Sequence, residues 1–190
     1  MGRDKLGLTV GGKSLISRVY DVVRSHCDEV LVVGSSVGGL LSDEGAPKAQ
    51  PIPDLRPGRA GPLAGIEAAL TAARHERVFV AAGDLPFIPK ELVGFLLEIV
   101  TNDDVRAAVP RHDARLHPLC AAYRRDVLSD LTASLNAGVR AVHTWLDGID
   151  GLRLVDNELM QFGDPETFLM NVNSPEDLER ARHLAGSGKP

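Results

Sequence analysis

The chain has 190 residues, 44% hydrophobic and 25% charged, enough for one globular domain with a full apolar core. Its formal net charge is −5 and no lysine–arginine run forms a phosphate-tracking stripe, which argues against nucleic acid as a partner. No apolar run approaches the span of a bilayer, Met1 to Lys5 leads into no signal segment, and Leu6 stands where a myristoylation motif wants Ser or Thr, so no membrane partner and a cytoplasmic setting are expected.

In chain order, residues 1–12 are short and glycine-containing and read as loop. Leu15, Val19 and Val22 recur at helical spacing and predict a helix from Ser14 to about His26. Cys27 follows. It lies far from Cys120 with no metal-ligand spacing, and both are expected as buried free thiols. Glu29 to Gly34 reads as a buried strand. Residues 35–61 hold many Gly, Pro and Ser, too long a stretch for an ordinary connection, which points to function or to a short strand near Ile52. Gly61-Pro62-Leu63-Ala64-Gly65 opens a helix with Ile66, Ala69, Leu70 and Ala73 on one face. Arg77 to Ala82 is a run of β-branched, aromatic and small residues, expected as a strand buried on both faces. Pro86 disfavours helix at Leu85 and forces a turn, which sets Asp84 just past the strand's carboxyl end.

Pro89 suits the first turn of the next helix, whose apolar face is Leu92, Phe95, Leu96 and Ile99. Val105–Val109 and Leu119–Tyr123 read as strands around a polar hairpin loop, Arg111 to Pro118. A helix from about Asp126 ends at Asn136-Ala137-Gly138, with Gly138 as its left-handed cap, and Val139 to Leu146 reads as a second short helix. Leu152–Val155 and Phe168–Met170 read as strands. Ser174-Pro175-Glu176-Asp177 caps and opens the last helix. The alternation predicts one α/β domain over residues 1–185, with a mostly parallel mixed sheet, helices on both faces and a disordered tail at 186–190.

Several short patterns invite a chemical reading. Ligands of open α/β sheets bind at the carboxyl edge, so Asp84 is placed either to hold Mg²⁺ and, through it, phosphates, or to cap its own turn. Gly7 to Ser14 satisfies the phosphate-loop spacing G-x-x-x-x-G-K-S, but such a loop follows a buried strand. Only six residues precede Gly7, Arg3, Asp4 and Lys5 among them, so a turn at Gly11-Gly12 ahead of a helix is expected instead. Gly61 to Gly65 either lets backbone approach a ligand at a helix N-terminus or makes a plain tight turn. Asn171 and Asn173, on one side of a strand end, either read a polar ligand or satisfy local backbone. His117 in Leu116-His117-Pro118 carries no chemistry by itself.

Taken in order, Met1-Gly2-Arg3-Asp4-Lys5, Gly12-Lys13-Ser14-Leu15, Gly61-Pro62-Leu63-Ala64-Gly65, Gly83-Asp84-Leu85-Pro86-Phe87-Ile88-Pro89, His117-Pro118-Leu119 and Asn171-Val172-Asn173-Ser174-Pro175-Glu176-Asp177 resemble the molybdenum cofactor guanylyltransferases, from Met1 to about Leu184. These lie within a larger nucleotidyltransferase family of Rossmann-like fold. The resemblance implies Mg²⁺-dependent transfer of GMP from GTP to the terminal phosphate of molybdenum-carrying molybdopterin, with release of pyrophosphate. It implies Lys5 on the phosphates, Asp84 on the metal, and Asp54 with Gly61, Pro62, Leu63, Gly65, Lys5 and Asp84 around GTP. Asn171, Asn173 and His117 are implied on the pterin side, and other cofactor-synthesis proteins and recipient molybdoenzymes as partners. The attacking group is itself a phosphate anion, which fits the lack of any Ser-His-Asp or Cys-His arrangement.

The family's signature starts ahead of this Met1, with a buried strand and a loop of the form Leu-Ala-Gly-Gly-x-Ser-x-Arg. The resemblance therefore implies a longer natural gene product, and a sheet without that strand is expected to show unpaired edges. A related cytidylyltransferase, another phosphate acceptor, or an inactive nucleotide-binding module are the alternative readings.

Overall fold

The computed structural model describes residues 3–34, 49–53, 55–56 and 61–186; Asp54 and residues 187–190 lie outside the described residues. Its centre is a five-stranded sheet. Strand β5 (Arg77–Ala81) runs antiparallel to β8 (Cys120–Arg124), with Arg77 opposite Arg124 and Ala81 opposite Cys120. On its other edge β8 runs antiparallel to β6 (Ala107–His112), and β6 is parallel to β9 (Leu152–Val155). Short β7 (Arg115–Leu116) folds back on β6 through Asp113 and Ala114, both in the left-handed region at φ 47° and 60°. Strands β5, β6 and β9 thus point one way and β8 points against them. Their three carboxyl ends and the amino end of β8 meet at one edge of the sheet.

Side chains alternate across this sheet with the period of two that a pleated strand imposes. Ala108, Cys120 and Ala122 face one helical layer, where Leu92 and Leu96 of α3 (Lys90–Ile99) join Val19 and Val23 of α1 (Leu15–Arg24). Ala107, Val109, Ala121 and Tyr123 face the other layer. That layer is built from α2 (Gly61–Ala72), α4 (Leu128–Asn136) and α5 (Val142–Leu146). Alanines on β6 and β8 leave room for helices to approach on both sides. This is the expected α/β arrangement, with a mixed sheet between two helical layers.

Two smaller pairs flank it. Val10, from a hairpin of β1 (Thr9–Val10) and β2 (Lys13–Ser14), and Leu15, which opens α1, pack against Val172, Leu178 and Ala181, the last two on α7 (Pro175–Gly186). Strand β3 (Leu31–Val33) pairs in parallel with β4 (Gln50–Ile52), the short strand expected near Ile52. A cavity of about 800 Å³ separates this pair from the main sheet, with Val32 and Val33 on one side, Phe79 and Val80 on the other, and Val19 and Ile66 reaching it from α1 and α2. Among the described residues β3 pairs only with β4 and β5 only with β8, so each keeps an unpaired edge.

That cavity explains where burial departs from expectation. In β5 only Phe79 is buried, rather than the whole strand, and in β3 no residue is fully buried, because both strands open onto the cavity. Other elements also differ from expectation. Phe168–Met170 is not a strand: Pro165–Phe168 forms a helical turn, α6, because Asp164 accepts from the Glu166 N–H at 3.2 Å and from the Thr167 hydroxyl at 2.6 Å, with Pro165 in the first helical position. An N-terminal cap there outweighs a three-residue apolar run. Pro89 stands at the cap of α3, in extended backbone, and not inside its first turn. Residues 3–14 are structured, as a 3₁₀ turn at Arg3–Gly7 followed by the β1–β2 hairpin. The 111–118 segment does form a hairpin, with its turn at Asp113-Ala114 and half of its residues, Arg111, His112, Arg115 and Leu116, in strand; α5 begins at Val142 rather than Val139. The helix expected from Asp126 starts as a 3₁₀ turn, Arg125–Val127, and Gly138 follows it in the left-handed region at φ 91°.

Candidate functional site

Asp84 lies three residues beyond β5, at the carboxyl edge where β5, β6 and β9 end. The turn is drawn by the Leu85 N–H donating to the Ala82 carbonyl at 3.3 Å. Gly83 leaves room beside it: a Cβ there would come within 3.1 Å of Leu6 Cδ2, on the N-terminal 3₁₀ turn packed at the sheet edge. That turn, closed by the Leu8 N–H on the Lys5 carbonyl at 3.1 Å, delivers Lys5 to the carboxylate.

Four side chains then converge. Lys5 Nζ donates to Asp84 Oδ2 at 2.7 Å and to Asn173 Oδ1 at 2.8 Å. Asn171 Nδ2 donates to Asp84 Oδ1 at 2.9 Å. Asp84 is only 8% exposed. Its carboxylate is spent on Lys5 and Asn171 rather than on its own turn, so the turn-cap reading is not what the structure displays. The 171–173 segment is fixed from both sides. The Val172 N–H donates to the Asp84 carbonyl at 2.9 Å, and Asp177 accepts from the N–H groups of Asn173 at 3.0 Å and Ser174 at 2.8 Å. Those backbone donors hold the Asp177 carboxyl below its usual range, and the Ser174 hydroxyl caps α7 in return. Asn171 and Asn173 do end up side by side, though from an irregular segment and not from a strand end.

No cluster of three or more His, Cys, Asp or Glu with metal-binding geometry occurs among the described residues. Among the described residues, Asp84 is the carboxylate that this cluster of side chains offers a divalent cation. Mg²⁺ is commonly held that way, by one or two carboxylates with waters and substrate phosphates completing its shell. A nine-tenths-buried carboxylate, paired with the Lys5 ammonium and a neutral amide, fits that mode.

The other expected site residues are placed as follows. Gly61 begins α2 at φ +66°, where a side chain would strain the backbone. Gly61, Pro62 and Gly65 line the cavity between β3 and β5, and so do Leu6 and Gly83, the neighbours of Lys5 and Asp84. Leu63 is fully buried in the α2–α4–α5 layer, so its side chain belongs to the core. His117 stands at the same sheet edge, its N–H on the Pro110 carbonyl at 2.9 Å and its carbonyl accepting from Cys120 at 3.0 Å, but outside the hydrogen-bonded cluster. Burial, then the nearby charges of Arg115 and His112, push its imidazole pKa down to about 4. Lys13 is exposed and pairs with Asp21 at 2.6 Å, while Gly11 and Gly12 make the β1–β2 turn at φ +57° and +79°. The phosphate-loop spacing is thus a hairpin. Both cysteines are free, Cys27 half-buried rather than buried as expected, and burial pushes the Cys120 thiol up to about 12, leaving it inert.

Sequence reasoning missed one network. Glu67 of α2 is 4% exposed and takes a two-pronged grip from Arg56, Nε to Oε2 at 2.6 Å and Nη2 to Oε1 at 2.8 Å. Thr132 donates to the same carboxylate at 2.9 Å, and Arg56 also reaches Asn136 Oδ1 at 3.0 Å. The Arg56 guanidinium holds the Glu67 carboxyl below its usual range. This network ties Arg56 to α2 and α4. Its signal was a single carboxylate inside the otherwise apolar run Gly61 to Ala72.

Comparison with known proteins adds the family context. Residues 1–149 match the family model described as MobA-like NTP transferase domain. A protein of Pelotomaculum thermopropionicum named "probable molybdenum cofactor guanylyltransferase" is 34% identical over 189 residues, which cover 100% of this chain and 89% of that one. The crystal structure of molybdopterin-guanine dinucleotide biosynthesis protein A from Archaeoglobus fulgidus superposes with a TM-score of 0.80 at 27% identity, covering 98% of this chain and 92% of that one. That of 2-C-methyl-D-erythritol 4-phosphate cytidylyltransferase from Thermus thermophilus gives a TM-score of 0.72 at 22% identity, covering 97% and 95%, a likeness of fold.

Proposed function

Because the chain belongs to the MobA-like NTP transferase domain family, we propose that it transfers GMP from GTP to molybdopterin carrying molybdenum, releasing pyrophosphate. The observation that carries the reading is the Lys5–Asp84 pair, 2.7 Å apart at the carboxyl edge of the sheet. A terminal phosphate oxygen of the pterin attacks the α-phosphorus of GTP, and the bond from that phosphorus to the β-bridging oxygen breaks. Both reactants are anions, so the protein's task is to align them and offset their charge. Mg²⁺ bound at Asp84 would polarise the α-phosphate.

Lys5 places a second positive charge where the triphosphate lies. Gly61, Pro62 and Gly65 offer side-chain-free or rigid backbone against the nucleotide, Leu63 contributing main chain only. Asp54 accepts from guanine N1–H and the exocyclic amine, an arrangement that cytosine and adenine do not offer. Asn171, Asn173 and His117 line the pterin side. One hydrogen bond to Asp84 or Lys5 does not exhaust the two N–H groups and two lone pairs of an amide. Among the described residues no helix is long and apolar enough to cross a membrane. The setting proposed is the cytoplasm, with other cofactor-synthesis proteins and recipient molybdoenzymes as partners.

Pyrophosphate release measured with GTP, CTP and ATP, each with and without molybdopterin, tests the reading. Release with GTP only when the pterin is present is expected. A preference for CTP would move the protein to the cytidylyl branch, and binding of no nucleotide would leave a non-enzymatic module.

A further inference from the structure

The amine of Lys5 sits on the carboxylate to which a cation is assigned. Resting on the reading of Asp84 as the cation's carboxylate, we propose that Lys5 is a placeholder for that cation. An arriving divalent ion displaces the Lys5 ammonium from Asp84, and Asn173 keeps the ammonium at the site, now free to meet the nucleotide's phosphates.

Three observations build this. First, the position is taken: Lys5 Nζ is 2.7 Å from Asp84 Oδ2, with the side chains 28% and 12% exposed. A divalent ion binds a carboxylate oxygen at about 2.0–2.1 Å, so on Oδ2, the oxygen that Lys5 holds, it would lie about 4 Å from an unmoved ammonium. At that range, partly shielded from water, the two cations repel strongly, and both cannot stay. Second, the other partner of Asp84 need not move. Asn171 donates to Oδ1 as a neutral amide, so it holds the carboxylate in place for the ammonium and the metal ion alike. Third, Lys5 has somewhere to go. Asn173 Oδ1 already accepts from it at 2.8 Å, and the Asn173 backbone is pinned to Asp177, independently of Asp84. Leaving Asp84 therefore breaks one of the ammonium's two bonds and keeps the other. In the ligand-free protein the exchange leaves no buried carboxylate unpaired, because one cation replaces another.

The test is titration of Mn²⁺ into nucleotide-free protein, with free ion counted by electron paramagnetic resonance, for wild type, Lys5→Met and Asp84→Asn. Far-ultraviolet circular dichroism checks each fold, and Lys5→Gln is a second neutral variant should Lys5→Met fail to fold. Exchange predicts that removing the amine tightens Mn²⁺ binding, on the order of tenfold, since the ion no longer breaks a partly buried pair. The same variant is expected to bind GTP more weakly, so the two titrations move in opposite directions. Equal or weaker Mn²⁺ binding in the Lys5 variants, with Asp84→Asn losing it, overturns the placeholder role and leaves Asp84 as the metal's carboxylate. Mn²⁺ binding undiminished in Asp84→Asn overturns both.

Discussion

Asn171 and Asp84, 87 positions apart in sequence, are joined by the Asn171 amide on Asp84 Oδ1 at 2.9 Å, and the next residue, Val172, donates its N–H to the Asp84 carbonyl at 2.9 Å. The carboxylate is therefore aimed by a segment distant in the chain. Asn171→Ala is expected to lower turnover roughly 10- to 100-fold, the usual effect of removing an outer partner of a metal ligand. Steady-state pyrophosphate release measures it. Wild-type turnover in that variant would show that the carboxylate needs no such support.

The two N-terminal lysines should separate cleanly. Lys5 faces the site, whereas Lys13 is exposed on a hairpin with Asp21. Lys5→Ala should cost roughly 1.5–3 kcal/mol of GTP binding, the size of one charge-assisted hydrogen bond. Lys13→Ala should cost nothing measurable. Calorimetry with each variant decides, and the reverse pattern would put the phosphates at the hairpin.

His117 makes stability depend on pH. Its pKa in the folded protein is about 4, below the ordinary value of 6.5. Between those values the unfolded chain binds a proton that the folded protein refuses, so stability falls as pH drops through this window and is unaffected above it. His117→Phe should flatten that part of the profile. Urea midpoints at pH 7.5 and at pH 4.5 check it, and an unchanged slope would place the titration elsewhere.

The Arg56–Glu67 pair should contribute to stability. Glu67→Ala leaves Arg56, Thr132 and Asn136 with a broken network and should destabilise by roughly 1.5–3 kcal/mol. Arg56→Ala should also destabilise, and the double variant should lose much less than the sum of the two single variants. Denaturant midpoints supply all three values, and full additivity would mean that the two residues act separately.

Much of this architecture is legible in the sequence because periodicity is a local signal. Leu92 and Leu96 announce α3, Ser14 and Ser174 announce helix starts, and the apolar run before Gly83 announces β5. Phe168–Met170 departs from the strand its hydrophobicity suggests, because an apolar run does not separate a short strand from a capped helical turn, and Asp164-Pro165 is the stronger instruction. The four side chains of the hydrogen-bonded cluster, Lys5, Asp84, Asn171 and Asn173, all fall in marked motifs, whereas His117, from another marked motif, stands outside it. The wiring of the four was not legible. Hydrogen bonds spanning 79, 87 and 168 positions depend on how the N-terminal turn and the 171–173 segment meet the sheet edge, which no local pattern encodes. The Glu67 network was hidden for the same reason, with its partners on other elements.

The central claim is that the reaction is built on Asp84. Its most direct test is pyrophosphate release from GTP in the presence of molybdopterin and Mg²⁺, comparing wild type with Asp84→Ala at matched fold by circular dichroism. Turnover by the wild type and none by the variant is the predicted result. Mg²⁺-dependent turnover retained in a folded Asp84→Ala protein would contradict the account.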